Sequence, residues 1–386
     1  MPVYLDNHAT TPVDPRVLQA LLPYFSEKFG NAANLHHTYG QEASTAVETA
    51  RQQVARLLNV EPDSLIFTSG ATEANNLAIK GVMQSVKPGR HLVTVAAEHR
   101  SVLAPVRRLQ RNGYETTIVD VDATGAVDPH QIEAALRSDT VLVSCMLANN
   151  EVGTINDLAA VVEICHRQGV MVHTDAAQAV GKLPLDLQDL PVDFLSLSGH
   201  KLYASKGVGV LYARPGRQRK RIEPLLEGGG HEQNWRSGTL PVPLIVGLGK
   251  ACELAGELRA EEQQRVAGLR DRLWAGLQQR LTGITCHGHP TRRLAGNLNV
   301  SFAGVDGDAL LNNLNRIAVS SGAACSALER EPSHVLRAMG IPGELCKSSL
   351  RFGIGRFNTA EEIDLAIEHV ADVVCRLRKF TASLGK

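Results

Sequence analysis

The chain has 386 residues, in which 40 Lys and Arg residues balance 40 Asp and Glu residues. This length predicts roughly two domains. The balanced charge excludes the basic excess that a nucleic-acid-binding protein needs, so we expect no nucleic-acid partner.

The cysteine pattern, the N-terminal segment and the lengths of the apolar stretches predict a soluble, cytoplasmic protein. The seven cysteines are odd in number and form no CxxC pair, which favours a reducing compartment over a disulfide framework or a zinc site. The segment MPVYLDNHATTP does not look like a signal peptide. No apolar stretch approaches the roughly 18 residues that span a membrane. We therefore expect no metal site and no membrane partner.

Short apolar, β-rich runs alternate with helical patterns in the first part of the chain. The predicted strands are residues 64–70, 91–97, 114–121, 140–148, 170–176, 193–198 and 207–213. The predicted helices between them are residues 73–86, 129–137 and 156–168. This alternation predicts a mostly parallel sheet covered on both faces. The loop between the last two strands is too short for a helix, which predicts one antiparallel edge.

The pattern changes after about residue 240. A long helical pattern covers residues 242–282, and a final helix is predicted at 360–383. Three strands are predicted between them, at 297–302, 317–322 and 349–355. This part of the chain predicts a smaller α+β domain.

Polar residues follow five of the predicted strands. Ligands of open α/β sheets bind beyond the carboxyl ends of the strands, so these residues should meet at one rim. They are Thr72, Glu73, Glu98, His99, Asn149, Asn150, Glu151, Thr174, Asp175, Gln178, Ser198, His200 and Lys201. Their convergence predicts a ligand site.

Taken singly, three of these positions have simpler interpretations. The stretch SGATEAN opens a helix whose free N–H groups suit a phosphate, but Thr72 would also serve as an ordinary N-cap. Asp175 ends an apolar strand and needs a cationic partner, or it is a hydrogen-bonded strand-end residue. His99, taken alone, fits better as a core histidine.

Lys201, in SLSGHKLYASKG, is harder to explain structurally. Burial disfavours the charged form of a lysine, and the neutral amine can condense with an aldehyde. A phosphate cradle, a carboxylate and such a lysine at one sheet edge suggest pyridoxal phosphate. Asp175 would then pair with the protonated ring nitrogen, which keeps the ring an electron sink.

Ten motifs occur in order along nearly the whole chain: YLDNHATTP, GATEANN, EHRSV, ANNEVGT, HTDAAQ, SGHK, GGGHE, RSGT, SSGAAC and LRFGIGRF. In these motifs the chain resembles the NifS/IscS-like cysteine desulfurases, class V aminotransferases of the fold-type I pyridoxal phosphate enzymes. The resemblance implies an α/β fold with a mostly parallel seven-stranded sheet in a large cofactor-binding domain, residues 15–257. A smaller α+β domain would comprise residues 1–14 and 258–386.

The resemblance also implies a role for each matching position. Lys201 would form the Schiff base with the cofactor and then act as the base, and His99 would stack on the ring and handle protons. Asp175 would hold the ring nitrogen and Gln178 the ring oxygen. The residues expected to bind the phosphate are Ala71, Thr72, Ser198, His200 and, from the neighbouring subunit of a homodimer, Thr239. Asn150, beside the cofactor, and Arg351 would hold the substrate carboxylate.

Cys325 is the second expected chemical centre. A lone cysteine is usually a small buried hydrophobe, which fits Cys145 or Cys165, but Cys325 lies in the small and polar stretch SSGAACSALEREP. In the family, a cysteine at this position takes sulfur from L-cysteine as a persulfide and leaves L-alanine. Residues 325–332 match the subgroup with a long, mobile loop, which serves a sulfur acceptor or an iron–sulfur scaffold protein.

Three departures from the family pattern and three alternatives stay open. Gln233-Asn234-Trp235 replaces the usual Arg-Gly pair, Gly353 replaces a serine, and the tail after the last helix is short for docking a scaffold.

The first alternative is a related pyridoxal phosphate lyase for cystine or selenocysteine, which would not need Cys325. The others are a non-enzymatic partner in sulfur transfer and an aminotransferase.

Overall fold

The computed structural model describes residues 1–87, 90–216, 222–321 and 332–384. The strands in these ranges are β1 Val3–Tyr4, β2 Leu65–Thr68, β3 His91–Val95, β4 Glu115–Val119, β5 Thr140–Ser144, β6 Met171–Asp175, β7 Phe194–Ser198, β8 Gly209–Ala213, β9 Ile284–His287, β10 Asn297–Phe302, β11 Ile317–Ala318 and β12 Ser349–Gly353. The α-helices are α1 Pro15–Leu21, α2 Pro23–Ser26, α3 Thr38–Leu58, α4 Ala71–Gln84, α5 Arg100–Arg111, α6 Pro129–Ala135, α7 Leu158–Arg167, α8 Val242–Arg280, α9 Gly307–Asn313, α10 His334–Ala338, α11 Gly343–Lys347 and α12 Ala360–Leu384. The α/β fold is confirmed.

The large sheet has seven described strands in the order β2-β8-β7-β6-β5-β3-β4. β8 pairs antiparallel with both β7 and β2, and the other pairs are parallel. The predicted antiparallel pairing of the last two strands, β7 and β8, is confirmed. β8 does not form the edge, because it lies inside the sheet, and the antiparallel edge strand is β2. Gly209 makes this possible: a Cβ there would lie 2.6 Å from the Cα of Gly70, so only a glycine lets the end of β2 approach.

Apolar side chains cover both faces of this sheet. On one face, α4 and α5 pack through residues such as Leu77, Ile79 and Val106. On the other face, α3, α7 and the first half of α8 form the largest cluster, with Val54 and Val161 fully buried. Burial on both faces explains why these strands read as continuous apolar runs in the sequence.

α8 spans 39 residues, about 60 Å at 1.5 Å per residue. Its first half packs on the large sheet through Ile245 and Leu248, and its second half packs on a separate cluster through Leu269 and Leu273. That second cluster lies against a three-stranded sheet of order β12-β10-β9 and against α12. The long helical pattern predicted at residues 242–282 is confirmed.

The sequence-based prediction was less accurate for the smaller sheet. The strand predicted at 317–322 is only the two-residue β11, which pairs parallel with β1, while Ser320 forms an isolated bridge with Arg351. β9, at residues 284–287, was not predicted because its side chains are only partly apolar and partly buried. Among the described residues, no helix combines the length and apolar character needed to cross a membrane.

Candidate active site

A cavity of about 470 Å³ lies at the carboxyl ends of the large-sheet strands. Most of the residues predicted from the sequence line it together: Ala71, Thr72, His99, Asn150, Asp175, Gln178, Ser198, His200, Lys201 and Arg351. Thr239 is exposed and is not among the residues that line the cavity of its own chain. Cys325 lies outside the described residues.

One end of the cavity faces the start of α4. Gly70 precedes the helix with φ 147°, and no side chain among the described residues caps it. The alternative of Thr72 as N-cap is therefore wrong, because Thr72 lies in the first turn. A helix start without a side-chain cap offers main-chain N–H groups and a partial positive charge to an anion.

One side chain at the end of β7 and one that follows it border the same end. Ser198 ends the strand, and His200 Nδ1 lies 3.1 Å from Thr10 Oγ1. Burial is the main cause that lowers the pKa of His200 to about 4, and the nearby charges of Lys201, Lys206 and Lys182 also lower it. His200 is therefore neutral near pH 7 and would meet a phosphate as a hydrogen-bonding imidazole rather than as a cation.

Asp175 ends β6 and is 6% exposed. Its Oδ2 accepts a hydrogen bond from Asn75 Nδ2 at 2.7 Å, and its Oδ1 accepts one from the main-chain N of Ala177 at 2.9 Å. Both donors are neutral, so the negative charge of Asp175 is not cancelled by them. Such a carboxylate suits a cationic ring nitrogen.

Lys201 lies on the short 3-10 turn that follows β7. Its Nζ donates hydrogen bonds to the main-chain oxygens of His8 and Ala9, the latter at 2.6 Å. The N-terminal segment thus closes the cavity from the side of the lysine. Lys201 is partly buried, as the apolar run before it predicted.

His99 is the N-cap of α5, and its Nδ1 lies 2.7 Å from Ser101 Oγ. Ser101 Oγ in turn accepts a hydrogen bond from Asn75 Nδ2 at 2.8 Å. A chain of hydrogen bonds therefore connects His99, Ser101, Asn75 and Asp175. The sequence held one signal for this: Asn75 is a polar residue on the otherwise apolar, buried face of α4.

Arg351 in β12 also lines the cavity and is 3% exposed. Its Nη2 forms an ion pair with Asp6 Oδ1 at 2.9 Å, and its Nη1 donates to the main-chain oxygen of Asn150 at 3.0 Å. Its Nε is buried without a hydrogen-bond partner among the described residues. The guanidinium is thus held in place while one donor stays available.

Sequence reasoning missed several side chains of the site, chiefly His8, Asp6 and Lys182. His8 lines the cavity, and Lys182 Nζ contacts Gln178. His8 and Asp6 come from the N-terminal segment, which lies more than 160 residues before Gln178 and Lys201. No local pattern signals a contact over that distance in the chain.

These residues fit a pyridoxal phosphate group on chemical grounds. The uncapped start of α4 with Ser198 and His200 suits a phosphate, and the uncancelled charge of Asp175 suits a protonated pyridine nitrogen. The amine of Lys201 borders the same cavity.

The sequence profile of the aminotransferase class-V family matches residues 3–365. A cysteine desulfurase IscS from Anaeromyxobacter sp. (strain Fw109-5) is 50% identical over 382 residues, which cover 99% of this chain and 94% of that protein. A cysteine desulfurase IscS from Methylobacillus flagellatus is also 50% identical over 382 residues, with 98% and 94% coverage.

Solved structures agree with these relatives. A NifS-like protein superimposes with a TM-score of 0.91 at 37% identity and covers 98% of this chain and 100% of its own. A structure of SspA in complex with cysteine superimposes with a TM-score of 0.82 at 33% identity, over 92% of this chain and 100% of its own. The chain therefore belongs to the aminotransferase class-V family, as one of its pyridoxal phosphate-dependent cysteine desulfurases.

Proposed function

We propose that this chain converts L-cysteine to L-alanine and passes the released sulfane sulfur, through a persulfide on Cys325, to an acceptor. One observation carries the proposal: Lys201, Asp175, Arg351 and the uncapped start of α4 border one cavity. A lysine, an anion and an anion-binding helix start in this arrangement suit the cofactor. A buried guanidinium with an unused donor suits a small carboxylate substrate.

Bound pyridoxal phosphate supplies an electron sink for the pair left on the substrate α-carbon. Ala71, Thr72, Ser198 and His200 bind its phosphate in this proposal, and Asp175 holds the proton on its ring nitrogen. His99 covers the ring, and its orientation is fixed by Ser101. Gln178 faces the ring oxygen.

The substrate is oriented by Arg351 and Asn150, which line the same cavity. Arg351 binds the carboxylate of L-cysteine, assisted by Asn150, whose main-chain oxygen already contacts the guanidinium. Lys201 Nζ then accepts the α-proton, because its amine borders the cavity. The N-terminal segment around His8 and Ala9 limits the entry of water on that side.

Cys325 takes the sulfur in the next step. Its thiolate attacks the substrate sulfur, so that an S–S bond forms while the C–S bond breaks. The electron pair of the broken bond goes to the substrate carbon, which takes up a proton and becomes the methyl group of alanine. The persulfide is then attacked by an acceptor thiol, or serves iron–sulfur cluster synthesis or another sulfur-containing cofactor.

We propose that the acceptor or scaffold protein approaches beside the segment that carries Cys325. His334 follows that segment at the start of α10 and borders a groove of about 550 Å³. The other polar side chains that line this groove are basic: Arg100, Arg107, Arg108, Arg111 and Arg337. A partner with an acidic surface fits this charge.

We further propose that the active form is a homodimer, in which Thr239 reaches the phosphate bound by the partner. Thr239 is exposed and lies outside the cavity of its own chain. Large apolar side chains between residues 18 and 39 are also exposed, and a second copy would cover them: Leu18, Leu22, Phe25, Phe29, Leu35 and Tyr39. Their exposure in a single chain favours an interface.

A cytoplasmic location and the division into two domains complete the proposal. Each cysteine in the described residues is free, which suits a reducing compartment. The two apolar clusters at the two ends of α8 support domains of residues 15–257 and of residues 1–14 with 258–386.

Two variants test the chemistry. Lys201→Ala should lose both the absorbance change on adding L-cysteine and all turnover, since covalent attachment and the base are removed together. Cys325→Ser should keep the bound cofactor and its visible band but form no persulfide, and Cys375→Ser, which changes an exposed cysteine on α12, is the matched control. Full desulfurase turnover by Cys325→Ser would refute the assignment.

A parallel assay of alanine and sulfide separates desulfurase from lyase. The purified protein is mixed with L-cysteine and a thiol, and then with cystine or selenocysteine. The proposal expects alanine and sulfide in equal amounts from L-cysteine. Activity on cystine that survives Cys325→Ala would instead identify the related lyase, a colourless protein would indicate a non-enzymatic partner, and a keto acid product would indicate an aminotransferase.

A further inference from the structure

The side-chain amide of Gln178 is held by hydrogen bonds at both of its polar atoms. Its Oε1 accepts from Lys182 Nζ at 3.0 Å and lies 2.9 Å from His8 Nδ1. Its Nε2 donates to the main-chain oxygen of His8 at 2.9 Å. Gln178 is 4% exposed and lines the cavity, so its orientation is set by these contacts rather than by solvent.

These contacts allow one orientation of the amide. The main-chain oxygen of His8 can only accept, so the group that faces it must be the N–H₂ of Gln178. An ammonium group on Lys182 can only donate, so it requires the amide oxygen. A flipped amide would place an oxygen against an oxygen at His8 and donors against donors at Lys182. One N–H of Gln178 is engaged by His8, and the second remains available to the cavity.

Lys182 is an unusual residue for this role because it is a lysine at the edge of a buried site. It follows Gln178 by four residues. The charged groups that act on it are Lys201 and Arg351, which repel it, and Glu262 on α8, which attracts it. Glu262 is itself paired with Arg356 at 2.7 Å. Burial, with the repulsion from Lys201 and Arg351, lowers the pKa of Lys182 to about 7, although Glu262 acts to raise it.

His8 completes the arrangement from the N-terminal segment. For Nδ1 to meet the amide oxygen as a donor, the ring must carry its proton on Nδ1. Burial, with the charges of Lys182, Arg351 and Lys201, lowers the pKa of His8 well below its ordinary value, so the ring is neutral. Gly353 permits this position, because a Cβ there would lie 2.7 Å from the main-chain N of His8 and 3.1 Å from its Cδ2.

We propose that Lys182 and His8 are positioning residues that fix Gln178 with one N–H directed at the ring oxygen of the cofactor. This inference rests on the proposed function, because it requires pyridoxal phosphate beside Gln178. A donor at that oxygen stabilises its ionised form, and a flipped amide would present a second oxygen to it. The pH at which the visible band of the bound cofactor titrates therefore reports the orientation of Gln178.

The test is a pH titration of the absorbance spectrum of the loaded enzyme without substrate. Lys182→Met should move the midpoint upward by about 1 pH unit, since the ionised ring oxygen loses its donor. Lys182→Arg keeps a charged donor, so its midpoint should stay close to that of the parent. Lys250→Met, which removes a lysine paired with Glu253 on α8, is the matched control and should leave the midpoint unchanged.

A double-mutant cycle separates positioning from simple charge. In a Gln178→Ala background, Lys182→Met should shift the midpoint by less than half of the shift that it causes in the parent. The reason is that the effect of Lys182 passes through the amide of Gln178. An equal shift in both backgrounds, or no shift in either, would overturn the inference. If Lys182→Met does not load cofactor, His8→Ala is measured instead. It should move the midpoint upward by less than the shift expected for Lys182→Met. An unchanged midpoint in His8→Ala would contradict the role of His8.

Failure of this inference is distinguishable from failure of the proposed function. If the unmodified protein takes up pyridoxal phosphate without developing a visible band, then attachment at Lys201 is wrong. If the band forms but its midpoint does not respond to residue 182, then only the positioning role is wrong.

Discussion

The Nδ2 atom of Asn75 lies 2.7 Å from Oδ2 of Asp175 and 2.8 Å from Oγ of Ser101. Asn75 is fully buried on α4, so one side chain fixes both the carboxylate and, through Ser101, the imidazole of His99. Asp175, expected at the ring nitrogen, and His99, expected over the ring face, are therefore coupled through Asn75. Asn75 is not expected to touch the phosphate or the substrate.

This coupling predicts a measurable effect of Asn75→Ala. A buried hydrogen bond to a charged group contributes about 2 kcal/mol, so we expect cofactor affinity to fall by about tenfold to thirtyfold. The measurement is a titration of the apo form with pyridoxal phosphate. Asn76→Ala is the matched control, since Asn76 donates to the main-chain oxygen of Thr72. Unchanged affinity in Asn75→Ala would show that Asp175 holds its orientation without Asn75.

Glu151 predicts a pH dependence of stability. Burial raises its pKa from 4.5 to about 7, and its carboxylate accepts a short hydrogen bond from Ser333 Oγ. Between these two pH values the folded state binds the proton that the unfolded state has released. Glu151 therefore favours the folded state most below pH 4.5, and this contribution, about 3 kcal/mol, is lost as pH rises to 7.

The variant Glu151→Gln should remove this pH dependence. The free energy of unfolding, measured by urea denaturation at several pH values, should fall less steeply between pH 4.5 and 7 in the variant than in the parent. Glu261→Gln, which changes an exposed carboxylate on α8, should keep the parental slope. Parallel curves for Glu151→Gln and the parent would contradict the prediction.

The ion pair between Arg351 and Asp6 predicts a change in substrate binding. Asp6 Oδ1 holds the guanidinium, and Asp6 Oδ2 accepts a hydrogen bond from Ser320 Oγ at 2.6 Å. Asp6→Asn should raise KM for L-cysteine by about tenfold with little change in kcat. The reason is that the lost interaction stabilises the bound substrate and the transition state equally. Arg351→Lys should raise KM further, since an ammonium cannot bind a carboxylate bidentately.

Asp364→Asn is the control for this pair, because Asp364 forms an exposed ion pair with Arg272 at 2.6 Å. Exposed pairs contribute little, so KM and the cofactor spectrum should not change. If Asp6→Asn left KM unchanged, the guanidinium of Arg351 would be held by its other contacts alone.

Gly353 predicts a cost for any side chain at this position. A Cβ there would lie 2.7 Å from the main-chain N atoms of both Asn7 and His8. Gly353→Ala should therefore lower the free energy of unfolding by about 1–3 kcal/mol, as overpacking does. Gly343→Ala, where a Cβ would meet nothing within 4 Å, should change it much less. Equal stability of the two variants would show that the N-terminal segment adapts freely.

The segment of residues 232–234 overlaps the departure from the family pattern at Gln233-Asn234-Trp235. Glu232, Gln233 and Asn234 all have positive φ, at 48°, 57° and 69°. The carboxylate of Glu232 fixes this backbone, since it accepts from Arg51 Nη2 at 2.7 Å and from the main-chain N of Phe67 at 2.7 Å. The sequence identified the departure, but the conformation follows from a contact across 181 residues.

The sequence by itself determined the local elements and which polar groups follow the strands at the sheet edge. The apolar runs before Asp175 and Lys201 and the small residues before α4 each lie within a few residues of the group they position, so their pattern is readable without the fold. The long helix at 242–282 was readable for the same reason.

Only the tertiary structure decided which distant segments complete the site. His8 and Asp6 reach Gln178 and Arg351 because the N-terminal segment crosses the sheet edge, and Asn75 meets Asp175 because α4 packs over β6. β8 lies inside the sheet because Gly209 permits a close approach by Gly70. Such contacts depend on shape and burial between residues far apart in the chain, which local periodicity does not encode.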